Sequence, residues 1–302
     1  MIQFLKKILF FSLPVIFGCV FLEYSLRKIP NDYSKKSEYL TKHASSINTL
    51  FLGNSHIYYG INPIYIKRNS YNASYVSQSF DLDLAILNKF EKNWDSLKYI
   101  AISVDYFGLF RKLSTGVENW RLRDYQLNYG IGDSNDWSMK TELIGNFRHA
   151  LLKFLRFYIQ HQKLVTTTDL GWGTGYSFEK RQDLVQTGIS ASKKHLKINN
   201  ISFESNIISL NKIIEFAKTH HIKVLLLTLP AYQSYSTLLN TSQLNLTEQT
   251  ALSLVRQNKN VTYYNLMNDT DFVDKDFYDA DHLNEFGAKK LTLKIDSLLF
   301  TY

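Results

Sequence analysis

Along this chain, short and largely apolar runs alternate with stretches in which apolar residues recur every three or four positions. The runs are Ile47 to Leu52, closed by Gly53, then Tyr71 to Tyr75, Tyr99 to Val104, Val224 to Leu229 and Val261 to Tyr264. Runs of this kind, bounded by turn residues, predict strands buried on both faces. Between them Leu82, Leu84, Ala85, Leu87, Phe90 and Trp94 follow a helical period, as do Ile207, Leu210, Ile213, Ile214 and Ala217. A last helix shows Leu291, Ile295, Leu298 and Leu299 on one face, with Asn284 in place to cap it. Strand, helix and strand in alternation predict an α/β fold, a doubly wound parallel sheet with right-handed crossovers.

The rhythm breaks between about residues 106 and 200, where the chain is aromatic and rich in turns: Trp120, Tyr125, Tyr129-Gly130, Trp137, Trp172 and the triplet Gly171-x-Gly173-x-Gly175. This predicts a long insertion over the carboxyl edge of the sheet, with Leu143 to Tyr158 helical. A glycine triplet with no strand before it is not a phosphate loop. The Trp and Tyr residues suit either a sugar-stacking cleft or the packing of a lid.

At the amino end Lys6-Lys7 precede fifteen uncharged residues, Ile8 to Leu22, with Glu23 and Arg27-Lys28 beyond. A hydrocarbon core needs roughly 20 residues; Phe4-Leu5 and Tyr24 to Leu26 extend the run, with Lys6, Lys7 and Glu23 reaching for the headgroups. Phe21-Leu22-Glu23-Tyr24 offers no small-residue cleavage pattern, so residues 1–28 read as an uncleaved anchor rather than a removed signal. Bulky Phe17 speaks against lipoprotein processing at Gly18-Cys19. Residues 29–46, polar and charged, read as a linker, and 47–302 as the α/β domain. Basic residues flank both ends of the apolar run, so charge gives no orientation.

Of the 302 residues, 45% are hydrophobic and 21% charged, enough for one sizeable domain and an appendage. The net charge of +8 suits an anionic partner such as phospholipid headgroups or teichoic-type polymers, but Lys and Arg are scattered and no basic helix argues for nucleic acid. The single cysteine excludes an intramolecular disulfide and a cysteine zinc site. His220-His221, at a helix end, read as a cap and a solvated residue. The acidic loop from Asp269 to Asp281 could attract a divalent cation but lacks the calcium-loop pattern. No metal or cofactor is expected.

Two short motifs carry the chemistry. Phe51-Leu52-Gly53-Asn54-Ser55-His56 puts a hydroxyl just beyond a strand, where open α/β sheets place their sites. Asp279-Ala280-Asp281-His282 puts a carboxylate three residues before a histidine. A serine becomes a nucleophile when an imidazole takes its proton and a carboxylate orients that imidazole. The expected roles are Ser55 nucleophile, His282 general base and then acid, and Asp279 its orienting partner, preferred over Asp281 for its three-residue offset. His56 reads as structural.

Gly53-Asn54-Ser55 and Asp279-x-x-His282-Leu283-Asn284, in this order at the two ends of one α/β pattern, resemble the SGNH/GDSL hydrolase superfamily, and most closely its membrane-anchored bacterial members. The likeness covers about Ile47 to Val104 and Glu204 to Leu299, with Asn54 where the family name has Asp. It implies a flavodoxin-like three-layer fold and oxyanion donors from the nucleophile's own N–H, from a Gly after the second strand and from an Asn after the third. Here the second position lies in Asn72 to Ser77, without Gly, and the third falls at Asp105, which as a carboxylate would repel an oxyanion. The donor candidates are Ser55, Asn72, Ser77 and Ser103. The resemblance implies a serine-dependent acyl ester hydrolase or O-acyltransferase acting on an acylated cell-envelope glycan or lipid-linked polymer, with a possible membrane acyltransferase as partner. It also implies a single-pass protein of the cell membrane with an extracytoplasmic catalytic domain. The alternative is an anchored assembly protein that keeps the fold without the chemistry.

Overall fold

The computed structural model describes residues 2–132, 137–145, 147–196 and 200–300. In chain order the elements are α1 (Ile2–Arg27), α2 (Asp32–His43), β1 (Thr49–Leu52), α3 (Ser55–Gly60), β2 (Ser70–Asn72), α4 (Phe80–Lys89) and β3 (Tyr99–Ser103). The insertion contributes α5 (Leu122–Tyr129), α6 (Trp137–Lys140), α7 (Glu142–Gly145), α8 (Phe147–Phe154) and α9 (Leu184–His195). Then come α10 (Asn200–Thr219), β4 (Lys223–Thr228), α11 (Gln233–Ser236), α12 (Thr241–Gln257) and β5 (Val261–Asn265), followed by a hairpin of β6 (Phe277–Asp279) and β7 (His282–Leu283), and by α13 (Glu285–Phe300). The chain divides into two compact units, residues 1–37 with 120–166 and residues 38–119 with 167–302. The predicted insertion is therefore shared between the two.

The larger unit is built on a five-stranded sheet, all parallel, in the order β2-β1-β3-β4-β5. Successive side chains of a strand point to opposite faces. Phe51, Tyr99, Ala101, Leu225 and Leu227 meet Ile57 of α3, Ile61 just after it, and Leu291, Ile295 and Leu299 of α13 in one core. Their alternates Leu50, Leu52, Ile100, Ile102, Val224 and Leu226 are equally buried and turn to the other face, where α4 and α10 pack against each other. Burial on both faces is why the strands read as continuous apolar runs. The chain leaves β1 for β2 on one side and reaches β3 on the other, so the crevice at the carboxyl ends of β1 and β3 is the topological switch point.

At that edge β1 ends in Gly53, whose φ of +119° no L side chain adopts readily and whose Cβ, if present, would lie 2.4 Å from Ser103 Oγ. Gly53 N–H donates to Asp83 Oδ1 (2.9 Å), which also accepts from Gln78 Nε2 (2.5 Å). Burial pushes the Asp83 carboxyl up to about 7, against the lowering effect of those two donors. Gly171, φ +88°, passes so close to β2 that a Cβ would meet the Asn72 carbonyl oxygen at 2.0 Å. The glycine triplet thus serves close packing.

In the smaller unit α1 is the one helix, among the described residues, long and apolar enough to cross a membrane, over Phe10–Arg27. Its far end is buried: Leu26 and Ile29 join Ala150, with Leu22, Leu143, Phe154, Phe157 and Leu164 against them. Glu23 accepts the N–H groups of Glu142 (3.0 Å) and Leu143 (3.1 Å), an acid at the start of α7. The stretch 29–46, expected as a plain polar linker, is largely the helix α2. Its Lys36 is fully buried, and burial holds its ammonium well below the usual lysine range despite Asp32.

Two stability effects follow. Gly53→Ala should cost at least about 1–3 kcal/mol from backbone strain alone, read by urea unfolding; an unchanged midpoint would show that the turn tolerates a side chain. Asp83 binds its proton more tightly folded than unfolded, so its contribution is fully present below about pH 4 and is lost as pH rises through 7. Melting curves should show wild type losing stability relative to Asp83→Asn across that window, by at most about 1.4 kcal/mol per pH unit, and parallel curves would refute the assignment.

Candidate active site

Ser55 is the first residue of α3, and Asn54 caps that helix by accepting the His56 N–H at 2.9 Å. From the far end of the chain β7 brings His282, whose Nε2 lies 2.9 Å from Ser55 Oγ. Its Nδ1 lies 2.9 Å and 3.2 Å from the two oxygens of Asp279. Asp279 Oδ1 also accepts the backbone N–H groups of His282 (2.8 Å) and Asp281 (3.1 Å), so the tight turn between β6 and β7 aims the carboxylate at the ring. A proton held on Nδ1 by Asp279 leaves the Nε2 lone pair facing the hydroxyl, the arrangement a general base requires. Asn284 fixes this loop, capping α13 through Phe286 and Gly287 N–H while donating to the carbonyls of Lys275 and Phe277.

Behind Ser55 lies a buried charge cluster. His56 Nδ1 is 3.1 Å from Asp105 Oδ1 and its Nε2 is 3.5 Å from Asp281 Oδ2. Burial alone would strip the proton from His56, but Asp105, by charge and hydrogen bond, and Asp281 overcome it and raise His56 to about 10. Asp281, though buried, is held well below the carboxylate range chiefly by His282 and His56. His195, against Asp281 on another side (3.7 Å) and bonded to Tyr235 Oη (2.9 Å), is driven by burial well below the usual histidine range and stays neutral. The His56 ring meets His282 edge-on at 4.9 Å. Asp105, expected to confront an oxyanion, is instead occupied by His56 and by Asn54 Nδ2 (2.9 Å) and is 2% exposed.

Of the other expected donors, Asn72 spends its amide inside the fold, donating to the Ile57 (3.0 Å) and Ile61 (2.8 Å) carbonyls and accepting from Ser74 N–H (3.2 Å). Ser103 lies beneath Gly53, 2% exposed. Asn72 ends β2 and Ser103 ends β3, and both side chains are buried. Ser77, at φ +58°, bonds Glu118 and lines, with Asn54, Phe107, Gly108 and Arg111, a cavity of about 280 Å³. The acidic loop is neutralised from α13, Asp269 and Asp271 by Lys294 and Asp276 by Lys290. Among the described residues, His56, Asp281 and His282 are close enough to converge on a cation. His282 already has Nδ1 on Asp279 and Nε2 on Ser55, so a cation there would compete with the bonds that orient it.

Sequence reasoning missed the pairing of His56 with Asp105 and an aromatic wall beside His282. Tyr176 stacks between Tyr59 (3.7 Å) and Tyr278 (3.9 Å) and meets His282 edge-on at 5.1 Å. The first follows from the strand register, which pairs Leu52 with Ile102 and so sets the residues past β1 and β3 side by side.

No protein-family model and no curated protein matches the chain. Among solved structures it is similar to a protein of Streptococcus pneumoniae provisionally described as a platelet activating factor (11% identity, TM-score 0.43, covering 97% of this chain and 99% of that one). It is also similar to a provisionally described acylhydrolase of Bacteroides fragilis (12%, TM-score 0.40, covering 87% and 95%). A third is a GDSL-like lipase of Bacteroides thetaiotaomicron (10%, TM-score 0.40, covering 89% and 100%). At these values the likeness adds nothing to what the strand order already establishes.

Removing one member of a buried ion pair strands the other charge, at a cost of about 3–5 kcal/mol. His56→Gln should show a loss of that size by denaturant unfolding, and Asp105→Asn in the same background should restore part of it. Strictly additive losses would mean the two do not interact.

Proposed function

We propose that this protein is a serine-dependent acyl ester hydrolase or O-acyltransferase acting on a cell-envelope polysaccharide or lipid-linked polymer. The observation that carries the reading is the continuous hydrogen-bonded series from Ser55 Oγ through His282 to Asp279 at the switch point of a parallel sheet. The motif resemblance supports the acyl chemistry and a catalytic domain outside the cytoplasm, and the apolar helix α1 supports an anchored protein.

In this reading His282 Nε2 takes the Ser55 proton as Oγ attacks the acyl carbonyl, and the imidazolium so formed faces Asp279, with Asp281 3.6 Å away. The oxyanion draws on the N–H of Ser55, which as the first residue of a helix has no acceptor within it. The loop carrying Ser77 is the remaining source of donors. His282 then returns the proton to the departing alcohol. Water or a sugar hydroxyl, deprotonated by the same nitrogen, takes the acyl group, giving hydrolysis or transfer.

One observation favours the alternative of an assembly protein without chemistry: the Asn72 amide is committed to the Ile57 and Ile61 carbonyls, and Ser103 is buried beneath Gly53. A fluorophosphonate probe separates the two. On the enzyme reading the full-length protein is labelled at Ser55, Ser55→Ala abolishes the adduct, and Asp279→Asn slows labelling by roughly 10⁴-fold through loss of the correct tautomer. No labelling of wild type, or labelling undiminished in Ser55→Ala, defeats it.

A further inference from the structure

In the unit of residues 1–37 and 120–166, α8 and the π-helical turn that continues it, Leu155–Ile159, cover the end of α1 with one side only. On the inner side Ala150, Phe154 and Phe157 pack with Leu22, Leu26 and Ile29, and Tyr158 Oη donates to the Ser25 carbonyl at 3.0 Å. On the outer side Phe147, Leu151, Leu152, Leu155 and Ile159 recur at helical spacing and are all exposed, Phe147 by 58% and Ile159 by 64%. Trp137 of α6, 70% exposed, and Ile144 of α7 extend the same bare surface.

Charge narrows what can cover it. From Trp137 to Leu164 the chain holds Lys140, Arg148, Lys153, Arg156 and Lys163 against one acidic residue, Glu142. Glu142 is buried and already paired with Lys153 at 2.8 Å. Lys140, Arg148, Arg156 and Lys163 are exposed. A second copy of this face would oppose like charges. Exposed apolar residues with an edge tryptophan and a basic border are the composition of a helix lying in a membrane interface, and anionic headgroups attract such a border.

We propose that the segment from Trp137 to Ile159 lies flat in the headgroup region of an anionic bilayer, beside the point where α1 leaves it. The proposal rests on the reading of α1 as a membrane helix. The segment is tied to the last turns of the apolar span Phe10–Arg27, by Glu23 to Glu142 and Leu143 and by Arg27 to the Lys140 carbonyl at 2.6 Å. The lipid surface is therefore its nearest apolar neighbour. One helix crossing and a second lying on the surface would restrict tilt of this unit relative to the membrane normal.

The test uses full-length protein with Cys19→Ser and single cysteines replacing Phe17, Leu151, Leu155 or Ile208, the last exposed on α10 as a control. Each is labelled with an environment-sensitive fluorophore and reconstituted in phosphatidylcholine and phosphatidylglycerol vesicles, with or without brominated acyl chains. Labels at 151 and 155 should emit to the blue and lose emission to brominated lipid, as at 17, while 208 does neither. Replacing phosphatidylglycerol by phosphatidylcholine should weaken quenching at 151 and 155 and spare 17. Quenching at 17 with water-like emission at 151 and 155 overturns the surface contact and leaves α1 as an anchor. Blue emission at 151 without quenching also overturns it, since protein rather than lipid then covers the face. An unquenched label at 17 removes the membrane reading of α1, and the proposal with it.

Discussion

The position of Ser55 depends on one turn. Between β1 and α3 the chain must reverse from strand to helix within two residues, and the only backbone that does so without striking β3 is the positive φ at Gly53, pressed against Ser103. Asn54 then performs two tasks with one amide: its oxygen caps α3 through His56 N–H, and its nitrogen binds Asp105 at the end of β3. The turn is thereby tied to both strands that flank the crevice, and through Gly53 N–H to Asp83 of α4. Ser55, the next residue, has little freedom in where it can stand.

Burying two carboxylates and an imidazolium beneath a nucleophile costs desolvation, and the cost is met only by close pairing. Asp105 and Asp281 share the charge of His56, which leaves the cluster one negative charge in excess before Asp279 is counted. His282 stands against that excess, with Asp279 at 2.9 Å and Asp281 at 3.6 Å from the same ring nitrogen. In a low-dielectric site such fixed charges act more strongly than in water. His195, kept neutral by burial, adds no positive charge beside Asp281.

The central strands β1, β3 and β4 were legible because burial on both faces leaves them almost continuously apolar. Ser55, Asp279 and His282 were legible because each stands where a strand or a tight turn ends, and the structure brings the three side chains together. What failed to show was pairing across the sheet. Asp105 read as a hazard to an oxyanion because its partner, His56, follows a different strand, and only the β1–β3 register makes them neighbours. Asn72 looked like a donor into the site because it ends a strand, whereas its amide closes the carboxyl end of α3. Residues 32–43 looked like a linker because α2 buries Asp32 and Lys36 along with Tyr33 and Leu40, so its inner face is not apolar in sequence.

The aromatic insertion is where alternatives stayed open, and the geometry narrows them. Tyr59 belongs to α3, Tyr278 to β6 and Tyr176 to the insertion, and their rings form one stack that meets His282 edge-on. Burial pushes the Tyr176 hydroxyl well above its ordinary range, which marks the stack as poorly hydrated. A stack whose middle ring has both faces covered offers a sugar no free plane there, so it acts as a wall that keeps water from one side of the Ser55–His282 pair. On the other side Asn54 borders the cavity shared by Ser77, Phe107 and Gly108. The approach to Ser55 is thus bounded by the insertion on one flank and by the loops after β2 and β3 on the other.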